Sequence, residues 1–370
     1  MLKKILGAIV CSVAILTGTA FWLKSLIPPA PDHQQLALTT ASDVPYLAKI
    51  PERKTRGRIL IVVSSASEMG NTGKKTGYEF TELVRPYYVF SANGFAVDIA
   101  SPLGGEPPAV MDKDDMGQFE YAFLNDGAAM EKLRNSIPLN RVIADHYKGI
   151  FFVGGKGAMF DFPGNPAIRD LVVTLHENDG VIGAVCHGPA ALADITLDSG
   201  SSFLDGRRIS SFTNDEELFL IPDAEQVFPF LLETRLRENG AEFEKGRLYL
   251  NQVSIDGGLI TGQNPWSSWS VTEAMVRALG YQPVARPVTQ TEKTIELLLA
   301  YETHGHSAAR DVLETFIQQA DVDGEGIDRR LLAMHGIVAA MQGEVIKFWD
   351  IVRLLASAKS SSASNGLPAT

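Results

Sequence analysis

The chain has 370 residues, 45% hydrophobic and 21% charged, which is enough apolar material for one large domain or two ordinary ones. A formal net charge of −11 excludes a nucleic-acid binder that relies on a basic surface. The two cysteines, Cys11 and Cys186, exclude a disulfide framework and leave the redox compartment open.

The first element predicted is a membrane anchor over residues 1–27. After Lys3 and Lys4 the run Ile5–Leu23 carries no charge. At about 1.5 Å per residue, residues 5–23 match the hydrocarbon thickness of a bilayer. Trp22 and Lys24 close the run as interface residues do. A cleavable signal ending near Gly18-Thr19-Ala20 competes, but Phe21-Trp22-Leu23 continues the apolar stretch and favours an uncleaved anchor. The lysines at the start place the body of the protein across the membrane, in the periplasm or another extracytoplasmic space.

Residues 28–56, with Pro28, Pro29, Pro31, Pro45 and Pro51, read as a linker. From 57 to 282 buried strands alternate with amphipathic helices. Strands are predicted at Arg58–Ser64, Phe95–Ser101, Gly149–Gly155 and Val181–Val185, with further ones near Arg208–Phe212 and Gly258–Thr261. Helices are predicted at Glu79–Ala92 and about Asn165–Asn178, and the acidic stretch Pro102–Pro138 reads as a surface excursion. This alternation implies an α/β domain with a largely parallel sheet and helices on both faces. Residues 283–357 carry only helical patterns, near Glu292–Thr303, Ala308–Gln319 and Arg329–Ala356. Residues 358–370, rich in Ser and Ala, read as a disordered tail. Asp321–Gly326 looks faintly like a calcium loop, but Leu332 stands where a bidentate Glu is needed, so it reads as a helix–helix turn.

In doubly wound sheets ligands bind at the carboxyl ends of strands. One strand ends in Ala184-Val185-Cys186-His187-Gly188-Pro189-Ala190. Small residues on both sides of Cys186 permit the tight turn of a nucleophile elbow, and a thiol at a helix start feels the positive end of the macrodipole. The competing reading is a buried core cysteine beside a capping histidine. Gly188-Pro189 at the helix start tilts the balance to function.

These residues, with GGKGAMFDFP upstream (Gly154–Pro163) and Phe212–Glu217 (FTNDEE) downstream, resemble the ThiJ/PfpI superfamily, the class I glutamine amidotransferase-like proteins. Within it the chain is most similar to the heat-shock-protein-31-like branch of glutathione-independent glyoxalases and chaperones. Thr76-Gly77-Tyr78 before Glu82–Pro86, Ala100–Gly105 and Leu259–Ser267 add to the match, which covers about Arg58 to Gly280. The resemblance implies a three-layer, flavodoxin-like sandwich with an α-helical C-terminal extension. It implies Cys186 as nucleophile, His187 as the adjacent triad histidine and Glu217 as the acidic third member, with Glu216 the fallback. It also implies that Glu82 bonds the thiol and that backbone N–H groups at Gly155 and His187 face an oxyanion. Lys156 stands where many relatives have His, which alters the charge of the pocket.

The implied activity is conversion of methylglyoxal to lactate without glutathione, with protein deglycation closely related. A holdase chaperone, a cysteine amidase or peptidase, and an oxidation sensor are the alternatives on the same fold. No dinucleotide fingerprint, Walker sequence or metal-ligand cluster stands in the sequence, so neither cofactor nor metal is expected. The expected partners are a small carbonyl substrate, the membrane, and a second copy in a homodimer, since dimers are common among relatives.

Overall fold

The computed structural model describes residues 18, 21–323 and 326–364. It divides into two compact units, one spanning Asp32–Pro287 and one drawn from residues 1–31 and Val288–Thr370.

The strands of the first unit are β1 (Arg58–Val62), β2 (Tyr78–Glu79), β3 (Ala96–Ser101), β4 (Ala109–Val110), β5 (Ile137–Pro138) and β6 (Gly149–Phe152). They continue with β7 (Val181–Val185), β8 (Arg208–Ile209), β9 (Glu242–Phe243), β10 (Val253–Asp256) and β11 (Leu259–Gly262). Seven form one sheet in the order β10-β11-β7-β6-β1-β3-β5, while β2–β4 and β8–β9 make two small pairs. All neighbours in the large sheet are parallel except β10 and β11. Strands β6 and β7 carry no polar side chain along their whole length, because both faces are covered.

Side chains alternate between the faces. Leu60, Val62, Ile150, Phe152, Ile182 and Ala184 join one core with Ile168, Leu171 and Val172 of the helix Pro166–Glu177. The other face carries Phe151, which meets Phe90 of the helix Phe80–Ala92 edge to face. On that face a side chain at Gly183 would run into Met275 of the helix Ser268–Ala278. Helix, sheet and helix thus make the three layers that the sequence predicts.

The helix boundaries follow local chemistry. Asn165 caps the Pro166–Glu177 helix by accepting from the N–H groups of Ala167 and Ile168, and Pro166 fills the first turn, where no donor is needed. In the second unit Thr289 and Glu292 form a reciprocal capping box at the start of Gln290–His304. That helix packs on His306–Asp323, and Arg329–Met341 packs on Val345–Ser364. Leu297, Leu298, Leu313, Leu332, Ile351 and Leu354 are buried among them.

Four expectations change. The membrane anchor and the extracytoplasmic location it implied are corrected: among the described residues no helix is long and apolar enough to cross a membrane. Residues 21–26 are helical, but Pro28 and Pro29 follow and end the run. The rest of the apolar stretch, including Cys11, lies outside the described residues, apart from Gly18. Second, part of the stretch 28–56 is packed rather than a free tether, since Val44, Tyr46 and Leu47 are buried in the first unit. Third, the last helix passes residue 357 and reaches Ser364, because its buried stripe of Leu354, Leu355 and Ala358 crosses that boundary. Fourth, the helix expected to open after Cys186 is a five-residue 3-10 helix, Gly188–Leu192.

Candidate active site

The site lies at the carboxyl ends of β1, β6 and β7. Cys186 follows β7 directly and sits in the left-handed region at φ +58°. A side chain there is strained and persists only if its surroundings hold it. They do so from both sides: the Cys186 N–H donates to the carbonyl of Gly262, and its own carbonyl accepts from the Phe212 N–H. Gly188 completes the elbow, because a Cβ there would lie 2.2 Å from the carbonyl oxygen of Phe152.

Glu82 reaches the thiol from the first turn of the Phe80–Ala92 helix. Its Oε2 accepts from the Gly154 N–H at 2.9 Å. A Cβ at Gly154 would lie 2.5 Å from that oxygen and 2.7 Å from the Cys186 Cβ. The carboxyl group and the cysteine therefore share the space that a missing side chain leaves. Both groups are buried.

Burial pushes the Glu82 carboxyl well above the usual range, and the charge of Glu79 pushes it further. Contact with the Cys186 thiol and the Gly154 N–H pulls the other way. The thiol is also pushed up, first by burial and then by a charged Glu82, while the Gly155 N–H stabilises the sulfur as thiolate. A thiolate and a charged Glu82 therefore disfavour each other, and burial pushes both groups toward their protonated forms.

On the other side of the sulfur stands His187, whose Nδ1 is 3.3 Å from Sγ. Its Nε2 is 2.5 Å from Glu217 Oε2. The imidazole packs against Phe212, at a ring distance of 4.6 Å, and Phe228, at 6.1 Å. Cys186, His187 and Glu217 thus form a chain of thiol, imidazole and carboxylate. Glu82 meets the same sulfur independently.

Residues 74–278 match the DJ-1/PfpI family. The chain belongs to it. The glutathione-independent glyoxalase HSP31 of Saccharomyces cerevisiae is 31% identical over 60% of this chain and 98% of its own length. Among solved structures, Rapid Encystment Protein 24 KDa of Francisella tularensis is 34% identical with a TM-score of 0.58, over 60% of this chain and 99% of its own. Glyoxalase III of Candida albicans is 26% identical with a TM-score of 0.55, over 60% of this chain and 97% of its own.

The neighbouring acidic residues separate by geometry within this DJ-1/PfpI domain. Glu217 bonds the imidazole, whereas Glu216 turns away. Glu216 closes a capping box with Thr213 and accepts from the Tyr249 N–H, Gln263 Nε2 and Asn264 Nδ2. It is a structural hub and not a spare triad member. Lys156 stands between Gly155 and Gly157 on the loop after β6, with Glu79 among the charges near it. Among the described residues no group of three or more His, Cys, Asp and Glu has metal-site geometry.

The sequence reading missed three features of the DJ-1/PfpI site. Gly154 is legible only as half of a Gly-Gly pair whose second member drew the attention. Phe212 and Phe228 lie far apart in sequence, and no local pattern joins them to His187. Glu79 was readable as an acidic residue three positions before Glu82, a spacing that puts the two on one side of a helix start.

Proposed function

We propose that this chain converts small 2-oxoaldehydes, methylglyoxal foremost, into 2-hydroxy acids by covalent catalysis at Cys186, without glutathione. The observation that carries the reading is the shared space of Cys186 and Glu82 beside Gly154. It allows an uncharged carboxyl and a thiolate to coexist within a buried site. The names of the similar glyoxalases support the substrate class.

The reaction runs without a change in overall oxidation state. The thiolate attacks the aldehyde carbon, and the carbonyl oxygen takes up a proton, giving a hemithioacetal. Glu82, having given that proton, removes the one on the same carbon, and the electrons of that C–H bond form the double bond of an enediolate whose charge lies on the former ketone oxygen. That oxygen takes the proton of the neighbouring hydroxyl, and Glu82 returns its own proton to the adjacent carbon, which leaves a thioester of the hydroxy acid on Cys186. His187, oriented by Glu217, takes a proton from water as the water attacks the thioester. The carbon–sulfur bond breaks, the hydroxy acid leaves and the thiolate returns. The sum is addition of one water, so the reverse reaction is that of a hydro-lyase. The N–H of Gly155, which stabilises the sulfur as thiolate, and the N–H of His187 are the donors assigned to the developing oxyanion in this reading.

The expected helix macrodipole adds little here, because one 3-10 turn of five residues sums few dipoles. Stabilisation of the thiolate falls instead to the Gly155 N–H and to protonated Glu82. The deciding experiment incubates the full-length protein with methylglyoxal in the absence of glutathione and follows lactate. Production of lactate by the wild type and none by Cys186→Ser is the expected result. Methylglyoxal consumption without lactate would replace the reading with simple adduct formation.

A further inference from the structure

The thiol–imidazole–carboxylate chain is assembled from two stretches of sequence, and one residue touches both. Phe212 lies between β8 and the helix Asn214–Leu220. Its N–H donates to the carbonyl of Cys186 at 2.8 Å, one of the two bonds that hold the cysteine at φ +58°. Its ring lies 4.6 Å from the imidazole of His187, with the two planes inclined by 31°. Rings so close and so nearly parallel meet face to face with an offset, since side by side their edges would overlap. Next along the chain, the Thr213 carbonyl accepts from the Glu217 N–H at 2.9 Å, and the Thr213 hydroxyl accepts from the Glu216 N–H at 3.1 Å. The pair Phe212-Thr213 thus sets Cys186 through a backbone bond, His187 through an aromatic face and Glu217 through a helix cap.

The imidazole needs a support of this kind. His187 is buried, with Nε2 held by Glu217 at 2.5 Å and Nδ1 standing 3.3 Å from the sulfur. Both contacts run through nitrogens whose N–H and lone pair lie in the ring plane, so they leave the ring free to rock about the line through its two partners. A flat neighbour resists that motion. We propose that Phe212 is a positioning residue for His187: its ring face fixes the imidazole plane and steadies the positive charge that the imidazole takes up as water attacks the thioester. This rests on the reading of Cys186 as the nucleophile of a glyoxalase.

The electrostatics agree with the geometry. The face of a phenyl ring is the negative part of its quadrupole, and it attracts a cation within about 6 Å of the centroid. Phe212 stands inside that range. Burial strengthens the attraction, because little water is left to solvate an imidazolium. Glu217 supplies the opposite charge in the plane of the ring, and Phe212 supplies the weaker negative region over its face. Phe228 adds a more distant contact at 6.1 Å, inclined by 28°. Phe212 is itself held, since its ring rests against Tyr249 at 6.4 Å, and the Tyr249 N–H and hydroxyl both donate to Glu216.

The step served is hydrolysis of the thioester and not its formation. Thiol addition and the proton transfers of Glu82 take place on the other side of the sulfur. Loss of the ring should therefore slow release of the hydroxy acid and leave the thiol as reactive as before.

Full-length wild type, Phe212→Leu and Phe212→Tyr are mixed with methylglyoxal and quenched at intervals, and lactate and the mass of the intact protein are followed. Phe212→Leu keeps the backbone N–H and an apolar side chain but presents no ring. In it the thioester on Cys186 should accumulate and decay about three- to thirtyfold more slowly than in the wild type. Its formation, and alkylation of Cys186 by iodoacetamide, should keep their wild-type rates. Phe212→Tyr restores a ring face and should recover most of the decay rate. A thioester in Phe212→Leu that decays at the wild-type rate overturns the proposal, as does an equal slowing of formation and decay, which a merely structural role would give. If Phe212→Leu fails to fold, Phe212→Met fills the same space without a ring and carries the same expectations. A wild type that forms neither thioester nor lactate removes the glyoxalase reading and this proposal with it. Lactate from the wild type with unchanged decay in Phe212→Leu removes this proposal alone.

Discussion

At the scale of single residues the site is built around an absence. Gly154 carries no side chain, and Glu82 and Cys186 occupy the gap. Gly154→Ala should cost about 1–3 kcal/mol of stability, because one of the close contacts is the backbone oxygen of Val185, which no rotamer change relieves. Thermal unfolding checks the stability, and lactate formation should fall with it as the carboxyl is pushed from the sulfur. Glu82→Gln keeps the shape but cannot move a proton, and should lower kcat about a hundredfold or more while the fold is unchanged by circular dichroism. Cys186, His187, Glu82 and Glu217 were legible in the sequence because each lies in a contiguous motif next to a strand or helix end. What joins them in space was not. The hydrogen bond of Glu217 to an imidazole 30 residues away depends on the turn that places Asn214–Leu220 over the elbow. Sequence alone left Glu216 and Glu217 one register step apart.

Elements repeat that contrast. Strands β1, β3, β6 and β7 were readable because parallel strands covered on both faces carry a largely apolar run, broken only by Arg58 at the start of β1 and by Asp98 and Ser101 in β3. Strand β10 escaped because an antiparallel edge strand faces solvent on one side, and Val253–Asp256 alternates between buried and open positions. The Asp256-Gly257 turn into β11 was the missed signal, a hairpin cue in its own right. The link from Thr213 to Asn264 is another such element, held by Glu216. Replacing Glu216 with Leu removes the acceptor for Tyr249, Gln263 and Asn264 at once. It should destabilise the first unit by about 3 kcal/mol or more in urea denaturation. The variant Glu217→Gln leaves that network intact, so its loss should appear in turnover and far less in stability.

Across the whole molecule the two units differ in what they fear from pH. His335, on the Arg329–Met341 helix, is buried, and burial with the charge of Lys347 pushes it down to about 3. The native unit therefore holds it neutral, while the unfolded chain takes up a proton below its ordinary value of 6.5. Its contribution is fully present above that value and is lost as pH falls toward 3. From about pH 6.5 to 5 the loss should be on the order of 2 kcal/mol, and His335→Gln should flatten that slope in urea denaturation. The carboxyl of Glu79, raised in the native state, acts in the opposite direction: it favours the folded first unit at acid pH, and this advantage fades between 4.5 and about 7. His335 did not declare itself in the sequence, because a histidine at a helical position looks the same whether it faces water or the core.

The enclosure of Cys186 has a consequence for which reagents can reach it. Cys186 is only 5% exposed, so access to it should fall as the size of the reagent grows. Bulky maleimides should label the native protein far more slowly than iodoacetamide does.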